Sequence, residues 1–122
     1  MGAESNWCHM EGYSNRVNGT TTKVPRCHIE GGTNNLAGDG TFDTCHIEGY
    51  NSSLSSMSGN VKYSHLEGLE NTLTGPAEHN HVEGYLNLVE GVNGAHVEGK
   101  GNTIGLSTNY NTRGDYSHAE GM

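Results

Sequence analysis

Several things are scarce in this chain of 122 residues, and each scarcity excludes something. Only 31% of the residues are hydrophobic, with one Phe and one Trp, which is too little to build an ordinary compact core. Apolar residues arrive singly, as in "NRVNG" and "NTLTG". Burial must therefore come from an elongated fold or from partner chains. No apolar run approaches the ~20 residues that span a bilayer, so no membrane insertion is expected. The opening "MGAESNWCHM" has neither the basic start nor the apolar stretch of a secretory signal. Bases number six (Arg16, Lys23, Arg26, Lys62, Lys100 and Arg113) and are scattered, so no patch favours nucleic acid. The three cysteines are an odd count without a C-x-x-C pair, which is no disulfide framework. Two Pro stand against 19 Gly, a composition that by itself would suit a disordered chain.

What is present is a repeat, and the repeat argues for order. H-x-E-G recurs seven times, with its pairs at His9 and Glu11, His28 and Glu30, His46 and Glu48, His65 and Glu67, His81 and Glu83, His96 and Glu98, and His118 and Glu120. A second half-motif, Asn-x-apolar-x-Gly, follows two residues later, as in "CHMEGYSNRVNG" and "SHLEGLENTLTG". Both halves alternate with period two, the signature of a half-buried strand, and both end at Gly, which permits a tight turn. No stretch keeps a helical period. The third copy stretches its second half to "NSSLSSMSG" and the sixth shortens it to "NTIG"; the other length variation falls after the second Gly, in "TTTKVPR", "DGTFDT", "NVKY", "PAEH", "VNG" and "LSTNYNTRGDY".

Two short strands and two turns per unit predict one coil of a parallel solenoid, each coil stacked on the last. The expected fold is all-β, a parallel β-roll of about six to seven coils spanning residues 1–122 as a single repeat domain. The coils start near 8, 27, 45, 64, 80, 95 and 117. Stacking at ~4.8 Å gives a rod roughly 30 Å long. Identical positions then form ladders. Cys8, Cys27 and Cys45, each directly before a repeat His, become an inward file of small apolar side chains. Histidine and glutamate occupy the opposite face.

The repeat unit resembles the SHAEG-type repeats of phage tail fibres and appendages, which are similar in turn to the head repeats of trimeric autotransporter adhesins. "SHAEG" itself stands at 117–121, with relatives in every coil. The resemblance implies a left-handed roll and a homotrimer of side-by-side or intertwined chains. It implies a rigid shaft in the virion with a host-attachment role, and a host surface receptor or glycan as an outside partner. The alternative location is the bacterial cell surface, as a fragment of an adhesin head. Adhesin repeats usually carry aliphatics where this chain has His and Glu, so the packing of that face cannot be copied from them. The opening without a signal, and three free thiols, favour the phage version with cytoplasmic assembly.

For the His and Glu columns the expected role is structural, with His and Glu hydrogen-bonding between coils and across chains along a trimer seam. Paired in that way, each carboxylate would raise the titration of its imidazole, so pairing would be strongest between the two transitions. Metal binding by the repeat histidines is the sharper alternative, since three chains could bring three imidazoles to one level. No cofactor is required. An enzyme is not expected: a catalytic His would be one of a kind, and the hexapeptide pattern of left-handed β-helix acyltransferases is absent. His79 lies outside the ladder and reads as a solvated turn residue. Tyr13, Tyr50 and Tyr85 recur just after the coil Gly, as strand-edge packing or as an exposed aromatic ladder for sugar contacts. Arg-Gly-Asp at 113–115 falls in the longest connection, where turn chemistry accounts for it. The final "SHAEG" reads as the first strand of a seventh coil. It points either to a longer protein or to chains that stack end to end.

Overall fold

A computed structural model describes residues 4–5, 7–18, 23–24, 26–38, 41–56, 60–105 and 117–122. The Arg-Gly-Asp tripeptide lies outside them. All regular structure among the described residues is β, and every strand pairing is parallel. The H-x-E-G strands form one seven-stranded sheet: His9–Tyr13, Cys27–Gly32, Cys45–Tyr50, His65–Leu69, His81–Tyr85, His96–Lys100 and His118–Glu120. The second half-motif forms a six-stranded sheet from Arg16–Asn18 to Thr103–Ile104. In both, strand order is chain order, so each coil hydrogen-bonds only to its neighbours. That is a β-solenoid.

Register follows the repeat without a slip. His9 faces His28, His28 faces His46, and so on to His96 and His118. Insertions fall between strands and never within the H-x-E-G strand, which keeps that sheet continuous.

The structure departs from the two-strand coil in one respect. Three of the variable connections supply short strands of their own, Phe42–Asp43, Val61–Lys62 and Ala77–Glu78, which form a third parallel sheet. Lys23–Val24 pairs with Glu4–Ser5 and lies beside Phe42–Asp43. The coil thus has three walls. The three strands of that sheet each contribute one inward side chain, Phe42, Val61 and Ala77, and Val92 in the next connection joins them; all four are at most 1% exposed. They meet Ile29, Ile47, Leu66, Val82 and Val97 from the first wall and Leu36, Leu54, Leu73 and Val89 from the second. The isolated apolar residues of the sequence are this core, about three to a coil. A two-residue strand is too short to show an alternation, and that is why the third wall had no sequence signature.

Two features hold the coils together at the corner between the first and second walls. Gly12, Gly31, Gly49, Gly68, Gly84 and Gly99 have φ between 104° and 129°. A Cβ on any of them would collide with the carbonyl oxygen of the corresponding glycine in the next coil. Close stacking therefore needs Gly after the repeat Glu, both for backbone and for space. Just beyond it, Asn34, Asn71 and Asn87 are buried, with Ser52 in the same place in the third coil. Each of these amides donates to the carbonyl of the Glu four residues earlier and to a glycine carbonyl one coil on. Asn71, for example, reaches Glu67 O at 2.6 Å and Gly84 O at 3.0 Å. Its Oδ1 accepts the Asn87 N–H at 3.0 Å.

Candidate functional site

Alternation along the H-x-E-G strands from Cys27–Gly32 to His96–Lys100 buries the residue before His and the residue after it and sends His and Glu outward; in the first strand Met10 stays exposed. In Cys27–Gly32 this reads as buried Cys27 and Ile29, half-buried His28 and exposed Glu30. Because the register is uninterrupted, the outward residues form two parallel columns the length of the sheet. His46 and His65, in the middle, keep 35% of their side-chain surface exposed, against 62% for His9 and 60% for His118. The neighbouring rings do the covering.

The imidazoles stack. From His28 to His118 successive rings lie 4.6 to 5.0 Å apart between centroids and within 16° of parallel. Only His9 meets its neighbour edge-on, at 78°. Within each strand the imidazole Nε2 faces the carboxylate Oε2 of the Glu two residues on. That separation is 3.3 Å for His9 and Glu11, the one pair within hydrogen-bond reach. Elsewhere it runs from 3.6 Å at His28–Glu30 to 4.0 Å at His96–Glu98. The Nε2 atoms of His28, His46, His65 and His81 are shut off from water and have no hydrogen-bond partner.

The expected titration does not hold at the centre of the column. For His65 burial lowers the pKa, and the imidazoles of His46 and His81 lower it further. The opposing pull of Glu67 and Glu48 is weaker. Burial, reinforced by like groups stacked at one coil spacing, thus outweighs pairing with the carboxylates.

Cys27 and Cys45 are buried and face each other in register; Cys8 is half-buried. The Cys27 thiol donates to Phe42 O at 3.3 Å and the Cys45 thiol to Val61 O at 3.4 Å. The hydrogen bond with Cys27 and then burial push the Cys45 thiol far up, so it stays protonated and unreactive. Burial also raises Cys8.

The tyrosines do not form a continuous ladder. Register places Gly32 between Tyr13 and Tyr50, and Leu69 between Tyr50 and Tyr85. Tyr50 and Tyr13 instead close over the space beside Gly32, and the Lys100 ammonium sits 5.2 Å from the centre of the Tyr85 ring. His79 is exposed at a corner of the coil and stacks on Tyr63 at 5.0 Å. The two residues end the equally long connections "NVKY" and "PAEH", each two positions before a repeat His, so alignment of the repeats already sets them side by side. Among the described residues, no three His, Cys, Asp or Glu side chains converge into a cluster that could hold a metal ion. No family model, curated protein or solved structure matches the chain.

Proposed function

We propose that this chain is a structural segment of a trimeric fibre, the shaft or host-attachment part of a phage tail appendage. The observation that carries the reading is the unbroken register of seven H-x-E strands. Hydrogen bonds of a parallel solenoid run along the rod axis, so length is gained coil by coil at constant cross-section. That is the mechanical property of a shaft. The SHAEG-type wording of the repeat supports the setting, and the homotrimer comes with it. The His and Glu columns are the face assigned to the seam, since a flat ladder of identical coils gives partner chains one register to match.

Sedimentation equilibrium of the purified chain at neutral pH tests the assembly. A trimer is the expected result, and a monomer at micromolar concentration would sink the reading. Glu67→Lys together with Glu83→Lys is expected to dissociate the trimer while the β-sheet circular dichroism signal persists. Binding of the intact trimer to host cells then separates attachment from a purely mechanical role.

A further inference from the structure

The seven H-x-E pairs share a feature that a fibre shaft does not need. In six of the seven, an imidazole nitrogen and a carboxylate oxygen face each other too far apart for a hydrogen bond, at 3.6 to 4.0 Å. Four of those nitrogens are closed to solvent and have no hydrogen-bond partner in the protein. Neither tautomer of the neutral ring resolves this. With the proton on Nδ1, two lone-pair atoms confront each other. With the proton on Nε2, the N–H points at an oxygen beyond its reach. A cation between the two atoms would satisfy both.

We infer that each H-x-E pair is a two-donor N,O clamp for a divalent metal ion of the zinc, cobalt, nickel and copper class. Bond lengths of about 2.0–2.2 Å to imidazole nitrogen and carboxylate oxygen bring the two donors roughly 3 Å apart at a tetrahedral or square angle. His9 and Glu11 already stand at 3.3 Å. The other pairs close by a few tenths of an ångström to about 1 Å through rotation of partly exposed side chains, a small movement for Glu. The imidazole donor selects against magnesium and calcium, which prefer oxygen alone.

Stacking decides how the donors are shared. An ion binds imidazole in the plane of the ring, and neighbouring rings here are nearly parallel and 4.6 to 5.0 Å apart. One ion therefore takes one imidazole. Water reaches the ion from the side of the Glu, whose carboxylate is about half exposed, and completes its shell, which leaves the ion exchangeable. Ions in successive clamps would stand about one coil, ~4.8 Å, apart and repel each other. Loading consequently alternates along the column and stops short of one ion per clamp.

Each clamp lies within one chain, so the inference does not depend on the trimer. Metal-free protein titrated calorimetrically with Zn2+ at about pH 7.5 is expected to bind several ions per chain, with no comparable uptake of Mg2+. Co2+ is expected to give a spectrum of nitrogen and oxygen ligation without a thiolate charge-transfer band. Glu48→Gln, Glu67→Gln and Glu83→Gln combined change three of the seven clamps, keep every stacked ring, and are expected to cut the ion count to roughly half. Circular dichroism verifies that this variant is folded. The inference is overturned if Zn2+ binds no better than Mg2+, if the Co2+ spectrum places the ion on thiolate, or if the folded variant binds as many ions as the parent. Sedimentation run in parallel keeps the two readings apart. A monomer that binds zinc removes the fibre reading alone, and a trimer that does not bind zinc removes this one alone.

Discussion

His46 and His65 lie face to face, ring centroids 4.6 Å apart and 8° from parallel, although eighteen residues of chain separate them in sequence. That contact is set by the coil period and by nothing local. It places two ionisable groups of like sign at van der Waals distance, with Glu48 and Glu67 alongside. Burial of His65 at the centre of the column, reinforced by this contact, gives a pH dependence opposite to the one that simple His–Glu pairing would give.

A His whose folded pKa is lowered binds fewer protons folded than unfolded near its titration range. Stability from such a group is fully present above the unfolded value, ordinarily about 6.5, and is lost as pH falls below it. For His65, facing His46, His81, Glu48 and Glu67, the direction is down. Thermal melts in chelator are therefore expected to show the midpoint falling as pH drops from about 7.5 to 5. His65→Gln is expected to flatten that slope. A midpoint that rises on acidification would show that carboxylate pairing dominates after all.

Gly68 and Gly91 offer a controlled comparison of glycines. Gly68 has φ 108° and no room for a Cβ, whereas Gly91 has φ 61° with nothing within 4 Å of the same atom. Gly91→Ala is expected to cost about 1 kcal/mol, the ordinary penalty of a left-handed alanine. Gly68→Ala adds a collision with backbone and is expected to cost about 3 kcal/mol or more. Denaturant unfolding of the two variants measures the gap, and equal losses would refute the packing role.

Asn71 holds three backbone groups from two neighbouring segments: Glu67 O, Gly84 O and the Asn87 N–H. Its side chain is inaccessible to solvent. Replacing the amide with Asp removes both donors and buries a carboxyl group against two carbonyls. Asn71→Asp is expected to destabilise by roughly 3 kcal/mol, with Asn71→Ala somewhat milder, judged from the cost of buried unpaired groups. Hydrogen exchange should show faster opening at the amide of Asn87, and unchanged protection there would count against the ladder.

Phe42 tests the third wall. It is fully buried although it stands in a connection, "DGTFDT", that has no strand pattern. Phe42→Ala is expected to lose about 3–5 kcal/mol, the range for a buried aromatic. Leu69→Ala removes a large apolar residue that is 39% exposed and should cost well under half as much. If the two losses are alike in chemical denaturation, the connections are not part of the core.

The sequence alone determined the period, the strands of the first two walls and the sides on which Cys, His and Glu fall. Those follow from strict alternation and from repetition, which report strand geometry residue by residue. Gly after every Glu was legible as a turn; that it is also a stacking requirement needed the oxygen of the next coil. The third wall escaped because Val61 or Ala77 alone carries no periodicity. The break in the tyrosine column escaped because it depends on which residue of each neighbouring coil comes opposite. The fate of the histidines was decided only in three dimensions. His28 and Glu30 are partners by spacing, but His28 and His46 are neighbours by folding, stacked with ring centroids 4.7 Å apart. Whether a charge is relieved or crowded depends on that second distance, which no stretch of sequence contains.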